Sequence, residues 1–270
     1  MLGIFLFQSE GFGNLRILLY KEPSFSGDWC QEEVQENYST IKVTNPNLET
    51  LFDFQVKLEL DPASFDYTNC EDGSIGIWTG DGSTRVPYWI EKWNPGGESL
   101  IWFKVPELAA NGDTRFRLYC GGEKAGQSNG DETFEFFDDF EGPLDTSKWE
   151  VMRGSWTTVG GNLKTPIGAC YGWPHQDSEY RMWTRVSFGG QKAFRFGIKL
   201  DSGDEGQLYP IPHARDHGAD HYEYHRIHFR SDARNIQLAS DYGSGDGAWV
   251  SWYSSDSVFQ MFDLLYDGSK

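Results

Sequence analysis

The sequence predicts an all-β protein built as two tandem antiparallel β-sandwiches. Three observations carry that expectation. Phe54, Val56, Leu58 and Leu60 alternate with Asp53, Gln55, Lys57 and Glu59, a period of two that buries one face of a strand and wets the other. Helical periodicity is absent along the chain, while 31 glycines punctuate it at turn-like intervals, as in proteins made of many short strands. Phe, Tyr and Trp make up 16% of 270 residues, enough to fill two cores with aromatic inner faces.

Taken in order, residues 1–36 lack this regularity and read as an N-terminal arm or extra strand, with LRILLY (15–20) its best strand candidate. The segments STIKVTN, DFQVKLEL, SLIWFKVP and TRFRLYCGG follow as strands of a first sandwich over 37–136. GSIGIWTGDGSTRVPYWIEKW reads as two strands around an Asp81-Gly82 turn. Residues 137–270 form the second domain. KWEVMRGSWTTVGGNLKT turns at Gly160-Gly161-Asn162, and EYRMWTRVSF and AFRFGIKL alternate, with Phe194, Phe196, Ile198 and Leu200 inward. HYEYHRIHFR, NIQLAS, AWVSWY and VFQMFDLLYDG complete a set that suits a jelly roll. LLYDGSK enters a turn and stops, which suggests a C-terminally incomplete sandwich or an edge completed by a partner.

A formal charge of −18 argues against nucleic acid and against anionic lipid, because phosphate contact needs concentrated Lys and Arg. It suits a salty or calcium-containing exterior. The opening run MLGIFLF is short, has no basic start and meets Glu10 early. It is neither a signal peptide of usual form nor a membrane span, and no membrane insertion is expected. Cys30, Cys70, Cys120 and Cys170 form no CxxC pair, so zinc is not expected. Cys120 runs in phase with Phe116 and Leu118 and reads as a buried thiol; Cys30 and Cys70 lie in loop-like sequence and could pair in an oxidising compartment.

The blocks TIKVTNPN, LFDFQVKLEL, DGSIGIWTGDGSTRVPYWIEKWN, SLIWFKVPEL and RFRLYCGGEKAGQSNGDETFEFFDDFE, in that order and spacing, resemble the uncharacterised β-domain family known as domain of unknown function 2341, over about residues 37–137. Two departures stand out. SIGIW (74–78) replaces the Asp-Ile-Arg run usual after the first Asp-Gly, and Tyr119-Cys120-Gly121-Gly122 replaces Tyr-Tyr-Gly-Asn. Any role of the family's Arg is therefore not carried over. Such domains are commonly followed by a concanavalin A-like, or laminin G-like, jelly roll. Phe137-Asp138-Asp139-Phe140, with Leu144 and Trp149 behind it, resembles its opening. The resemblance implies a secreted, surface-displayed or virion protein.

Three candidate sites emerge. His213, His217, His221, His225 and His228 fall in PHARDHGADHYEYHRIH, and imidazoles bind transition metals and titrate near neutrality. Pro212 and Gly218 break any helix that would align them, so exposed polar decoration is the plainer reading. Asp138, Asp139 and Glu141 supply hard oxygen donors suited to a structural calcium, or simply a solvated strand end. Trp173, Trp249, Trp252 and Tyr253 could stack on sugar rings, although Trp in sandwiches is mostly core. No E-x-D-x-x-E run, G-x-S-x-G, H-E-x-x-H or phosphate-cradling Gly loop occurs.

The expectation is therefore a non-enzymatic structural and adhesive protein of a virion or cell surface: a fibre, a capsid decoration or a cell-surface component. It would need no cofactor. Extracellular or cell-surface polysaccharide, further copies of itself or other surface proteins would be its partners. A ligand-free filament or shell subunit, and a carbohydrate-active enzyme with an unrecognised carboxylate pair, are the alternatives. The join at Phe134–Trp149 is short enough to predict a nearly rigid pair of domains.

Overall fold

In the computed structural model, residues 4–8, 16–20, 38–70, 72–153, 155–164 and 181–185 are described, together with strand segments between 192 and 266. The described residues are mostly β-strand in antiparallel sheets, with almost no helix among them. The chain divides into two compact units, Phe5–Asp138 and Asp139–Lys270, with Ile4, the first residue of the first strand, counted with the second.

The first unit holds β1 (Ile4–Gln8), β2 (Arg16–Tyr20), β3 (Tyr38–Asn45), β4 (Leu51–Leu60), β5 (Ile75–Thr79), β6 (Tyr88–Lys92), β7 (Ser99–Leu108), β8 (Gly112–Cys120), a helical turn α1 (Gly130–Thr133) and β9 (Phe136–Asp138). One sheet has the order β2-β3-β8-β5 and another the order β4-β7-β6. Period-two alternation gives each sheet one apolar face. Ile41, Val43, Ile75, Ile77, Phe116 and Leu118 of the first sheet join Phe54, Val56, Leu58, Tyr88, Ile101, Phe103 and Val105 of the second in one buried cluster. Each such side chain contributes roughly 1.5–3 kcal/mol when fully buried.

Polar groups inside this core are paired, as a dry interior requires. The fully buried Asn45 amide donates to the carbonyls of Glu49, Leu108 and Ala109, and its oxygen accepts from Asn47. The Tyr67 hydroxyl lies 3.2 Å from the Leu60 carbonyl and 2.9 Å from Ser99 Oγ, which in turn accepts from the Asn94 N–H. The Tyr88 hydroxyl donates to the Ile75 carbonyl at 2.7 Å, tying β6 of one sheet to β5 of the other. Burial pushes its pKa up to about 12.

The Asp81-Gly82 turn sits between two strands, as the sequence predicts, although those strands do not pair with each other. A short ladder, Trp78 with Arg85 and Val86 N–H to the Ile77 carbonyl, closes the turn. At Pro87 the chain leaves, so β5 pairs with β8 while β6 pairs with β7 in the other sheet. Pro87 has no N–H to extend the ladder, and its carbonyl instead accepts from Lys104. The cysteine reading is overturned. Cys120 is bonded to Cys70, with their Cα atoms 4.9 Å apart. Turns closed by Cys70 N–H to Tyr67 and by Gly73 N–H to Cys70 carry Cys70 to β5, where Ile75 pairs with Cys120. Cys30 lies outside the described residues.

The second unit carries β10 (Trp149–Arg153), β11 (Thr157–Thr158), β12 (Leu163–Lys164), β13 (Arg181–Thr184), β14 (Lys192–Ile198), β15 (Gly206–Leu208), β16 (Arg215–Asp216), β17 (Tyr222–Arg230), β18 (Asn235–Asp241), β19 (Gly247–Ser251) and β20 (Gln260–Tyr266). β11 and β12 close over Gly160-Gly161, as the sequence predicts. β10 pairs with β13, β14 with β20, and β17 with β15, β16 and β18; β18 pairs in turn with β19. All of these pairs are antiparallel. The inward placement expected of Phe194, Phe196, Ile198 and Leu200 lies outside what is described for side chains.

Candidate functional site

The sugar and metal candidates of the second unit are described only in part. His225 and Trp249 lie on strands, with His225 opposite Ser240 and Trp249 opposite Gln237. Gln237 pairs on its other side with His228, so His228, Gln237 and Trp249 share one row across β17, β18 and β19. His225 falls in a different row. Trp173, His213, His217, His221, Trp252 and Tyr253 lie outside the described residues.

The acidic junction serves local geometry. Asp138 ends β9, and Asp139 Oδ1 accepts from the Glu141 N–H at 3.2 Å, an Asx turn. Phe140 adopts φ 54°, a left-handed conformation uncommon for a bulky residue, and its ring packs 6.0 Å from Trp149. Among the described residues no group of three or more His, Cys, Asp or Glu side chains is placed to hold a metal ion.

Just upstream, the aromatic half of the junction belongs to the first unit. Asn129 caps α1 by accepting from Glu132, and the helical turn delivers Phe134 and Phe137 onto the outer face of β6 and β7. There Phe134 meets Trp89 and Trp102 at 5.7 and 5.8 Å, while Phe137 meets Trp89 at 5.0 Å. Trp102 is fully buried and donates its N–H to Glu91 Oε2 at 2.7 Å. Gly130 is needed under Phe137, because any Cβ there would collide with that ring. The part of this outer face formed by Trp89 and Trp102 is thus covered by the first unit's own chain.

The outer face of the other sheet has a different chemistry. Register places Tyr20, Thr40, Arg117 and Trp78 in one row across β2, β3, β8 and β5. Leu18, Lys42 and Arg115 form the next row, and Arg16, Thr44 and Asp113 a third. Tyr38 pairs with Tyr119 at the opposite end. Cations and rings interlock here: the Arg117 guanidinium lies 4.6 Å from the Tyr38 ring centre, and Lys124 Nζ lies 4.3 Å from that of Trp78. Arg117 Nε also donates to the Gly80 carbonyl at 2.9 Å, and Lys124 Nζ to that of Gly82 at 3.3 Å. Trp78 donates to the Lys124 carbonyl at 2.9 Å, an approach that Gly76 permits because a Cβ there would collide with that carbonyl.

The loop beneath these cations is ordered by Asp81. Its carboxylate accepts from the Thr79 hydroxyl and from the N–H and hydroxyl of Ser83, which hold its pKa down to about 2. At the other end Lys42 Nζ pairs with Asp113 at 2.7 Å, and Lys42 and Thr44 lower the Asp113 pKa. Sequence reasoning missed this face. Its residues are scattered from position 16 to position 124 and converge only through strand pairing. The signal in the sequence was the phase of Arg115, Arg117 and Tyr119, opposite to Phe116 and Leu118.

A family model described as Domain of unknown function (DUF2341) matches residues 71–152. That stretch runs from the turn before β5 through most of β10, and so includes the disulfide's Cys120, the turn at Asp81 and the aromatic junction. It is similar to that family over those residues. No curated protein and no solved structure matches the chain.

Proposed function

We propose that the chain is a non-enzymatic structural and adhesive protein displayed outside the cytoplasm, on a virion or a cell surface. The observation that carries this reading is the Cys70–Cys120 disulfide. Structural disulfides persist in oxidising surroundings and are rare in reducing ones. A net charge of −18 supports it further, because acidity of that size favours solubility in salt-rich exteriors. The first unit serves as a sandwich-type structural module, a reading favoured by its two sheets and shared core. The second serves as a concanavalin A-like jelly roll facing the ligand, with the aromatic residues Trp173, Trp249, Trp252 and Tyr253 as its proposed sugar contacts. The test incubates the full chain with a polysaccharide panel and follows both retention and new reducing ends. Retention without turnover is expected; turnover would replace the adhesive reading with an enzymatic one.

A second reading, a self-assembling filament or shell subunit, is favoured by one feature. Among the described strands β2 lies at the edge of its sheet, and it presents Leu18 at 58% exposure. Edge strands are the usual templates for pairing with a neighbouring chain.

A further inference from the structure

We propose that the outer face of the β2-β3-β8-β5 sheet is a docking surface for a carboxylated polysaccharide, a polyuronate, independent of any ligand of the second unit. Charge is the first support. In a chain of net charge −18, Arg16, Lys42, Arg115, Arg117 and Lys124 are gathered on or beside one sheet face, where Asp113 is the acid in register with them. Clustering of one sign against the protein's overall charge focuses attraction for the opposite sign at that place.

Spacing is the second. Neighbouring strands lie about 5 Å apart and alternate residues along a strand about 7 Å apart. Lys42 and Arg115 face each other on adjacent strands, and Arg115 and Arg117 are alternate residues of β8. Lys42, Arg115 and Arg117 therefore occupy adjacent positions on one face, with Arg16 two strands from Arg115. A polymer with one carboxylate per sugar ring meets such an arrangement with repeated anions, and guanidinium groups can bind carboxylates in bidentate fashion.

The same geometry disfavours a nucleic acid. Sequence-tolerant strand binding needs open aromatic platforms for base stacking. Here Tyr119 is buried, Trp78 is half-buried with Lys124 over its ring, and Arg117 lies over Tyr38. Among the described rings of this face, Tyr38, Trp78 and Tyr119 are taken up by cations or burial, which leaves Tyr20 as the ring most open to a base.

The experiment measures retention of the full chain on immobilised polygalacturonate, with dextran as the neutral control and a single-stranded oligodeoxynucleotide of matched charge as comparator. The unmodified protein should bind polygalacturonate and not dextran, and release as salt rises. The double variant R16E/R115E should bind at least about tenfold more weakly. K57E/K92E, which changes the net charge equally at residues off this face, should stay within about twofold. Should R16E/R115E fail to fold by circular dichroism, the milder R115Q must still weaken binding. No retention of the unmodified protein overturns the proposal, as does an equal loss in both double variants or tighter binding to the oligonucleotide. Self-association that R16E/R115E abolishes in sedimentation also overturns it, assigning the face to a second copy. Binding of neutral glycans in the broader panel bears on the second unit alone, so the two readings fail separately.

Discussion

Asp81 shows how one exposed carboxylate can order a loop. The Thr79 hydroxyl and the N–H and hydroxyl of Ser83 supply donors that favour the ionised form, so the folded-state pKa falls to about 2 from the usual carboxylate value of about 3.9. The folded pKa is depressed, so the associated stability is present above about pH 4 and is lost as pH falls toward 2. Asp72, Asp113 and Asp145, each lowered by hydroxyl or amide donors or by Lys42, act with the same sign. A carboxyl-detected NMR titration should place the Asp81 midpoint near 2, and Asp81→Asn should reduce the loss of stability between about pH 4 and pH 2. A midpoint near 4 would show that the turn does not hold the carboxylate. At this scale the sequence was informative: Thr-Gly-Asp-Gly-Ser announces a turn. Asn45 was not legible, because its partners Leu108 and Ala109 lie more than sixty positions away.

At the scale of elements, strands were legible and their partners were not. Period-two alternation over 51–60 and 112–120 located β4 and β8 because one face of each meets a core. Pairing, by contrast, is settled by contacts far apart in sequence. The two strands around the Asp81-Gly82 turn were legible, but not that β5 pairs with β8 while β6, past Pro87, pairs with β7 in the other sheet. The cysteines misled for the same reason: phase with Phe116 and Leu118 marked Cys120 as inward-facing, but nothing local shows that Cys70 arrives beside it. The cation cluster was hidden likewise, since Lys42, Arg115 and Lys124 become neighbours only through β3, β8 and the turn after them. The disulfide gives this scale its prediction. It closes a loop of 50 residues, and chain-entropy reasoning assigns such a link up to about 4 kcal/mol, mainly through the unfolded state. The double variant C70S/C120S should unfold at a lower denaturant midpoint by an amount of that order, and reducing the unmodified protein should have the same effect. Unchanged midpoints in both would mean the bond is not formed.

For the whole molecule, the question is where an independently folding unit ends. The buried cluster of the first unit is supplied entirely by residues up to Phe116 and Leu118, which would suggest that a fragment could stop soon after β8. The outer face of β6 and β7 says otherwise. Trp89 and Trp102 are covered by Phe134 and Phe137, with Gln55 Nε2 held by the Thr133 carbonyl at 3.1 Å. Losing a buried aromatic costs about 3–5 kcal/mol, comparable with the whole stability of a small domain. A fragment of residues 1–138 should therefore unfold cooperatively, with tryptophan fluorescence characteristic of buried rings. A fragment of residues 1–133, only five residues shorter, should expose Trp89 and Trp102, shift that fluorescence to the red and lose several kcal/mol. The substitution Phe134→Ala in the longer fragment should fall between the two. Equal stability of the two fragments would place the boundary before Phe134. It would also make the aromatic run from Phe134 to Phe137 a linker, where the packing makes it the closing layer of the first unit.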